Sequence, residues 1–149
     1  MKNLNILSPV LLILISVCFF PSYLYGVQDR YKIVIEESYY TVAYENEEEF
    51  LKIYREKIFP FWHEMKKRGI IQEDIRMYSQ RIHPHKPQWT FKTVVRFTNY
   101  TAIDKWLEER DEVIEKLFPG QGGYKAIRGK ISAITADHWD DFVRELPLE

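Results

Sequence analysis

The chain has 149 residues, with 21 basic and 22 acidic side chains and a net charge of −1 at neutral pH. This balance argues against a nucleic-acid-binding protein, which needs a strongly basic face. The single cysteine, Cys18, excludes an internal disulfide, and an aromatic content of 15% supplies bulk for an apolar core.

The first 26 residues have the pattern of a secretory signal peptide. Lys2 is their only charged residue, an apolar run extends from Ile6 to Phe20, and the segment ends at Gly26. A cationic start, an apolar stretch of about 7–15 residues and a small residue at the boundary are typical of cleaved leaders. We therefore predict a signal peptide over residues 1–26, one domain over residues 27–149, and a periplasmic or secreted protein.

Two alternatives for this leader stay open. Residues 6–25 are about long enough to cross a bilayer, so the leader alternatively stays uncleaved as an N-terminal anchor. Cys18 alternatively accepts a lipid, although Val17 stands where lipoprotein signals have a small residue. Association with a membrane is expected only under these alternatives.

Residues 30–44 are the first strand-like segment. Their β-branched and aromatic side chains include Tyr40, Val42 and Tyr44 at alternate positions, the period of a strand with one buried face. The Glu36-Glu37 pair leaves two possibilities, a single strand or a lead-in strand followed by the first core strand.

An amphipathic helix is predicted next. Asn46 and Glu49 have the spacing of a capping box, and Gly69 follows a cationic last turn. Pro60 lies within the helical pattern and should kink it, because proline lacks a backbone N–H. The apolar residues that recur at helical spacing are Phe50, Ile53, Tyr54, Ile58, Phe61, Trp62 and Met65.

Residues 75–83 and 88–98 are predicted to form a strand pair. Two prolines in the five residues between them favour a loop. The second strand alternates clearly, with Trp89, Phe91, Val95 and Phe97 on one face and Thr90, Lys92, Val94 and Arg96 on the other.

The rest of the chain is predicted to be helix, short helix and strand. Thr101 and Asp104 repeat the capping-box spacing, and residues 119–123 end the helix that follows. The spacing of Ile127, Ile131 and Ile134 favours a third helix, with a closing strand over residues 138–146. One long strand over residues 124–135 is the alternative.

The order β-α-β-β-α-(α)-β predicts an α+β, ferredoxin-like split βαβ fold. In that fold two main helices cover one face of a four-stranded antiparallel sheet. The other face is only partly apolar, as expected if two sheets meet across a homodimer and enclose a cavity.

Three stretches resemble a known superfamily: FLKIYREKIFPFWHEMKKRGIIQEDIRMYSQRI, FTNYTAIDKWL and WDDFVREL. They are similar to the small domains of the dimeric α/β-barrel superfamily, including NIPSNAP-like proteins and exported bacterial relatives. The resemblance covers residues 39–146 and implies the same fold and a dimer. The superfamily includes cofactor-independent monooxygenases, haem-handling enzymes and stress proteins. No catalytic motif of the superfamily matches this sequence.

Four residues are predicted to bind a ligand between the two sheets. Lys92 and Arg96 share a strand face, and with Tyr40 and Tyr44 opposite they could hold an anionic or phenolic molecule. The alternative is that the two cations pair with Glu36, Glu37 or a partner subunit's carboxylates.

Two further constellations have ordinary explanations. His83 and His85 have the alternate spacing of a metal-ligand pair, but two prolines nearby favour a solvated loop. Asp137, Asp140 and Asp141 resemble paired acid/base carboxylates and are typical of surface acids near a strand start. We predict no cofactor and no metal.

Together these features predict an exported homodimeric domain that binds a small ligand, with no assignable catalytic activity. The alternative is a cofactor-independent monooxygenase or isomerase that acts on a small phenolic or anionic substrate.

Overall fold

The computed structural model describes residues 32–80 and 88–146, which belong to one unit, Lys32–Glu149. The predicted leader, its boundary at Gly26, and the pair His83 and His85 lie outside the described residues. The elements are, in order, β1 (Val34–Val42), a 3-10 turn (Tyr44–Asn46), α1 (Glu47–Ile53), a π-helical turn (Tyr54–Ile58), α2 (Phe59–Lys67), β2 (Arg76–Ser79), β3 (Phe91–Phe97), α3 (Tyr100–Leu117), α4 (Gly123–Ala133) and β4 (Thr135–Val143).

The four strands form one antiparallel sheet in the order β2-β3-β1-β4. This is the predicted ferredoxin-like arrangement. Strand β1 runs without interruption through Glu36 and Glu37, so the lead-in strand is ruled out. Because side chains alternate along a strand, these two glutamates point to opposite faces of the sheet.

The core lies between one face of the sheet and the helices. Strand β3 alternates strictly, with Phe91, Thr93, Val95 and Phe97 buried and the residues between them partly exposed. Phe61 is completely buried on the helical side. Burying one such aromatic side chain contributes about 1.5–3 kcal/mol, so this face of β3 fixes which side of the sheet the helices cover.

The π-helical turn lies directly before Pro60 and joins α1 to α2. The N–H of Phe59 bonds to the carbonyl of Tyr54, five residues back, and Pro60 has no N–H to continue the α pattern. The irregularity predicted at Pro60 therefore takes the form of a widened turn. This turn directs Tyr54 and Ile58 into the interior.

Helix α2 ends at Lys67, and Gly69 stops it as predicted. Gly69 has a φ of 72°. Its N–H bonds to the carbonyl of Lys66, and the N–H of Ile70 bonds to the carbonyl of Met65. This pair of bonds satisfies carbonyls that the helix end leaves free, and it needs a residue that tolerates positive φ.

Both predicted capping residues are corrected by the structure. Asn46 already has helical backbone angles after the 3-10 turn, and its side chain makes no capping bond. At α3 the cap is Asn99 rather than Thr101, because Asn99 has extended backbone and accepts a hydrogen bond from Ala102 N–H at 2.9 Å. Thr101 lies inside the first turn of the helix.

The C-terminal segment is helix followed by strand, so the single long strand is ruled out. Strand β4 begins at Thr135, three residues before the predicted start, and a register shift interrupts its pairing between Thr41 and Val42. Within residues 32–80 and 88–146, no helix combines the length and the apolar character needed to cross a membrane.

Candidate functional site

A polar cavity of about 220 Å³ lies between the sheet and the helices. We call it the inner cavity. Polar side chains are rare in protein interiors unless they are hydrogen-bonded or serve a function, so their concentration here marks a candidate site. The cavity is lined by Glu36, Ser38, Tyr40, Tyr54, Ile58, Trp62, Ile75, Thr93, Val95, Trp106, Arg110, Tyr124, Arg128 and Asp140.

Arg128 from α4 links the helices to strand β1. Its Nη1 donates to the hydroxyl of Tyr40 at 2.9 Å, and its guanidinium carbon lies 5.8 Å from the Tyr40 ring centroid. Tyr40 is 2% exposed, and its ring packs against that of Phe50 with the centroids 5.1 Å apart. Because arginine stays protonated, this arrangement holds a permanent positive charge at the cavity wall.

His138 and Asp140 face the same side of β4 and form a pair beside Arg128. The Nε2 of His138 lies 3.0 Å from Asp140 Oδ1 and 3.2 Å from Arg128 Nη2. A protonated Nε2 donates to the carboxylate and cannot also accept from the guanidinium. Burial opposes ionisation of Asp140, yet the hydrogen bond from His138 and the nearby charge of Arg128 hold its pKa below the ordinary value.

Glu36 is the carboxyl group whose ionisation the cavity changes most clearly. Burial raises its pKa to about 7, and the nearby charge of Asp140 adds to this effect. The hydroxyl of Ser38 donates to Glu36 Oε1 at 3.2 Å and partly offsets the rise. Glu36 therefore changes its charge close to neutral pH, as a group suited to proton transfer does.

Trp106 and Arg110 approach the cavity from α3. The indole Nε1 of Trp106 is buried and lacks a hydrogen-bond partner within the described residues. The Arg110 guanidinium carbon lies 5.6 Å from the ring centroids of both Trp106 and Tyr124. A buried donor without an acceptor costs about 1–3 kcal/mol, so a ligand oxygen that came within hydrogen-bond distance of Nε1 would be stabilised.

Two tyrosine hydroxyls complete the polar lining. Burial raises the pKa of Tyr54 and of Tyr124 well above the ordinary value, so both keep their protons at physiological pH. The hydroxyl of Tyr54 already bonds to that of Tyr40, so Tyr124 is the one that can donate to a bound molecule.

Lys92 and Arg96 lie on the opposite, open face of the sheet. The ammonium of Lys92 donates to Glu37 at 3.1 Å, and Arg96 pairs with Glu145 at 2.5 Å. Tyr39 donates to the same Glu37 at 2.6 Å, and its ring stacks on Trp139 with centroids 4.9 Å apart. The pairing of Lys92 with Glu37 is the alternative that the sequence left open, whereas Glu145 was not among the partners named for Arg96.

The structure does not bring the four predicted ligand-binding residues together in one subunit. Tyr40 is in the inner cavity, Lys92 and Arg96 are on the other side of the sheet, and Tyr44 is 88% exposed in the 3-10 turn. Tyr40 and Lys92 lie on opposite faces of the sheet. Tyr40 pairs with Phe91, one residue before Lys92, and successive side chains of a strand point to opposite faces. Their roles in binding stay predictions.

Sequence reasoning missed Glu36, Arg110 and Arg128. Glu36 was read as half of a strand-breaking pair, although its alternation with Tyr40 and Val42 placed it on the buried face. Arg128 lies four residues after Tyr124, on the side of α4 that faces the cavity. That spacing was the available signal.

The inner cavity is lined by hydrogen-bond donors and by two carboxyl groups, those of Glu36 and Asp140. In the part of the chain that the structure describes, no group of three or more His, Cys, Asp or Glu side chains is arranged to hold a metal. The cavity instead presents guanidinium, indole and phenol donors, which bind oxygen atoms.

Several solved structures are similar to this chain. A dimeric ferredoxin-like protein from an uncultured marine organism is 16% identical, covers 83% of this chain and 100% of its own, and has a TM-score of 0.53. A DABB family protein with a ferredoxin-like fold from Mesorhizobium loti is 14% identical, with coverages of 78% and 99% and a TM-score of 0.50. A NIPSNAP family protein from Agrobacterium tumefaciens is 18% identical, with coverages of 78% and 95% and a TM-score of 0.49.

The first two similarities, together with the sheet order, establish that the chain has the ferredoxin-like fold and confirm the predicted α+β class. At such low identities they establish the fold alone. No family model matches the chain, and no curated protein matches it.

Proposed function

We propose that this chain binds a small oxygen-bearing molecule in the inner cavity. The observation that carries the proposal is the buried, unpartnered Nε1 of Trp106 at a cavity that Arg110 and Arg128 also line. A ligand oxygen that accepts from the indole would satisfy this donor, and the guanidinium groups would stabilise negative charge on the ligand. Of the four residues predicted from sequence, Tyr40 belongs to this site.

The chain is also proposed to act as an exported homodimer. The marine ferredoxin-like protein is described as dimeric, and aromatic side chains crowd the open face of the sheet here. Export rests on the leader pattern of residues 1–26. Expression in a Gram-negative host tests it: a periplasmic protein whose N-terminus is Val27 supports cleavage, and a full-length membrane-bound protein supports the anchor.

Ligand binding is tested by NMR with phenol and benzoate as probes of the inner cavity. We expect each probe to shift the indole N–H resonance of Trp106 in the full purified protein. Trp106→Phe should weaken binding about fivefold, because it removes one hydrogen bond while keeping an aromatic ring. Trp89→Phe is the matched control outside the cavity and should leave the affinity unchanged. If Trp106→Phe leaves the affinity unchanged, or if neither probe binds, the site is refuted.

A second candidate function is proton transfer to or from a bound keto or phenolic molecule. Glu36, with a pKa of about 7, supports it, because an isomerase needs one group that takes a proton from carbon and returns it elsewhere. Incorporation of solvent deuterium into 2-tetralone measures this activity. The rate should rise with pH through about 7 and fall more than tenfold in Glu36→Gln. An equal rate in the variant would leave only the binding function.

A further inference from the structure

A second, larger pocket opens beside the inner cavity. It has a volume of about 550 Å³ and lies between the α1–α2 helical segment and the edge of the sheet formed by β2 and β3. We call it the outer groove. Its lining is mostly apolar and comprises Leu51, Tyr54, Arg55, Phe59, Ile75, Met77, Tyr78, Ser79, Phe91 and Thr93.

The outer groove and the inner cavity share a wall. Tyr54, Ile75 and Thr93 line both spaces. Tyr54 lies in the π-helical turn, which widens the helix at this point. Turns of this kind occur frequently at functional sites. These three side chains therefore border an apolar space on one side and a polar space on the other.

The groove leaves large apolar side chains accessible at its mouth. Phe59 is 46% exposed and Tyr78 is 44% exposed. Strand β2 is an edge strand of only four residues, and no other strand of the described residues pairs with its outer side. A space of this size and lining suits the apolar body of a small molecule.

The charges of the inner cavity favour an anionic end on that molecule. Within the described residues, Arg110 has aromatic rings but no carboxylate as neighbours in contact, and Arg128 bonds to Tyr40. The carboxylate of Asp140 is engaged by His138. The charge of Arg128 already acts on Glu36 and Asp140 and favours their ionised forms. Arg110 is the guanidinium with no carboxylate in contact among the described residues, so it is the group suited to receive a carboxylate or a similar anion.

We propose that the outer groove and the inner cavity form one site for an amphiphilic organic acid. Its apolar body lies in the groove, its anionic end reaches Arg110 and Trp106, and Tyr54, Ile75 and Thr93 surround it where the two spaces meet. This inference rests on the proposed binding function and adds the ligand class and the second half of the site.

Octanoate, 1-octanol and benzoate test the inference by calorimetric titration of the full chain. Octanoate combines an alkyl chain for the groove with a carboxylate for the inner cavity, whereas octanol lacks the anion and benzoate lacks the chain. We expect octanoate to bind at least tenfold more tightly than either, because it uses both charge-assisted bonds and apolar burial. Arg110→Met should weaken octanoate and benzoate about tenfold and leave octanol unchanged, and Arg110→Lys should restore part of the loss.

The groove is tested with Met77→Glu, which places a charge in its apolar wall. The binding of octanoate and of octanol should weaken about tenfold, while the binding of benzoate should be unaffected. Leu107→Glu is the matched control, because Leu107 is 45% exposed on α3 and lies outside both spaces. Thermal melts of each variant verify that it folds.

The outcomes separate this inference from the function beneath it. Suppose that benzoate binds through Arg110, that octanoate binds no more tightly than benzoate, and that Met77→Glu leaves the octanoate affinity unchanged. The joined site is then wrong, and the inner cavity alone is the binding site. If none of the three probes binds, both proposals fail. If octanol binds as tightly as octanoate and Arg110→Met changes neither, the anionic ligand class is wrong.

Discussion

Polar residues on the helix-covered face, some buried and some half-buried, give this sheet its chemical character. The face of β1 that the helices cover carries Glu36, Ser38 and Tyr40. Apolar side chains at these positions would have a lower free-energy cost of burial. Each has a polar neighbour in the cavity wall: Ser38 bonds to Glu36, and Tyr40 accepts from Arg128. The cost of burying a carboxyl group is visible in Glu36, whose pKa of about 7 shows that the folded protein disfavours its charged form.

The first prediction concerns the dependence of stability on pH. Because folding raises the pKa of Glu36, the folded state holds this proton more tightly than the unfolded state, and stability should fall as pH rises from about 4.5 to 7. Glu36→Gln should remove that loss. The variant should match the wild type below pH 4.5 and be more stable by roughly 3 kcal/mol above pH 7, measured by urea unfolding.

Glu37→Gln is the control for this series. Hydrogen bonds from Tyr39 and Lys92 lower the pKa of Glu37. Its ionised form therefore stabilises the folded protein, in contrast to that of Glu36, and this stabilisation is lost as pH falls. Glu37 is on the open face and partly solvated, so the effect should stay under about 1 kcal/mol. Parallel pH profiles for wild type and Glu36→Gln would contradict the account of Glu36.

At the scale of elements, local backbone geometry decided where helices begin and end. Gly69 ended α2 as its sequence context indicated, because only positive φ allows the closing pair of hydrogen bonds. The caps were less predictable. Two residues at the start of α3, Asn99 and Thr101, are both good capping types, and only the extended backbone at Asn99 shows which one caps.

The second prediction compares these two capping candidates. Asn99→Ala should lower the free energy of unfolding by about 0.5–2 kcal/mol, because the N–H of Ala102 loses its acceptor. Thr101→Ala should change stability by less than about 0.5 kcal/mol, since alanine also favours a helical position. Thermal and urea unfolding of both variants measure the difference. A larger loss at Thr101 would restore the capping box that the sequence indicated.

At the scale of the whole molecule, the sheet has two unlike faces. One is covered by helices and contains the inner cavity. The other carries Tyr39 stacked on Trp139, with Trp89 at its edge, and the ion pair of Lys92 with Glu37. Aromatic side chains are typical of protein interfaces, so this open face is the surface through which we propose dimerisation.

The third prediction tests the dimer. Val94 lies on the open face between Lys92 and Arg96, opposite Glu37 on β1. Val94→Glu should dissociate a dimer formed through this face, because it buries an unpaired charge. Sedimentation velocity at micromolar concentration measures the change, and Leu107→Glu on the helical side should leave the mass unaltered. A wild-type chain that sediments as a monomer would overturn the dimer.

The sequence by itself determined the elements and their order. Alternation on β3, helical spacing from Phe50 to Met65, and the stop at Gly69 are local patterns, and local patterns suffice to predict a ferredoxin-like sheet. The leader is equally a sequence statement, and it stays a prediction.

Only the tertiary structure decided which polar residues meet. Arg128 is 88 residues from Tyr40 along the chain, and their contact depends on how α4 crosses the sheet. Lys92 and Tyr40 were predicted to act together, but a register offset of one residue puts them on opposite faces. The physical reason is that the periodicity of apolar residues along the chain shows which face of an element is buried. Which residues of another element contact that face depends on how distant segments pack together.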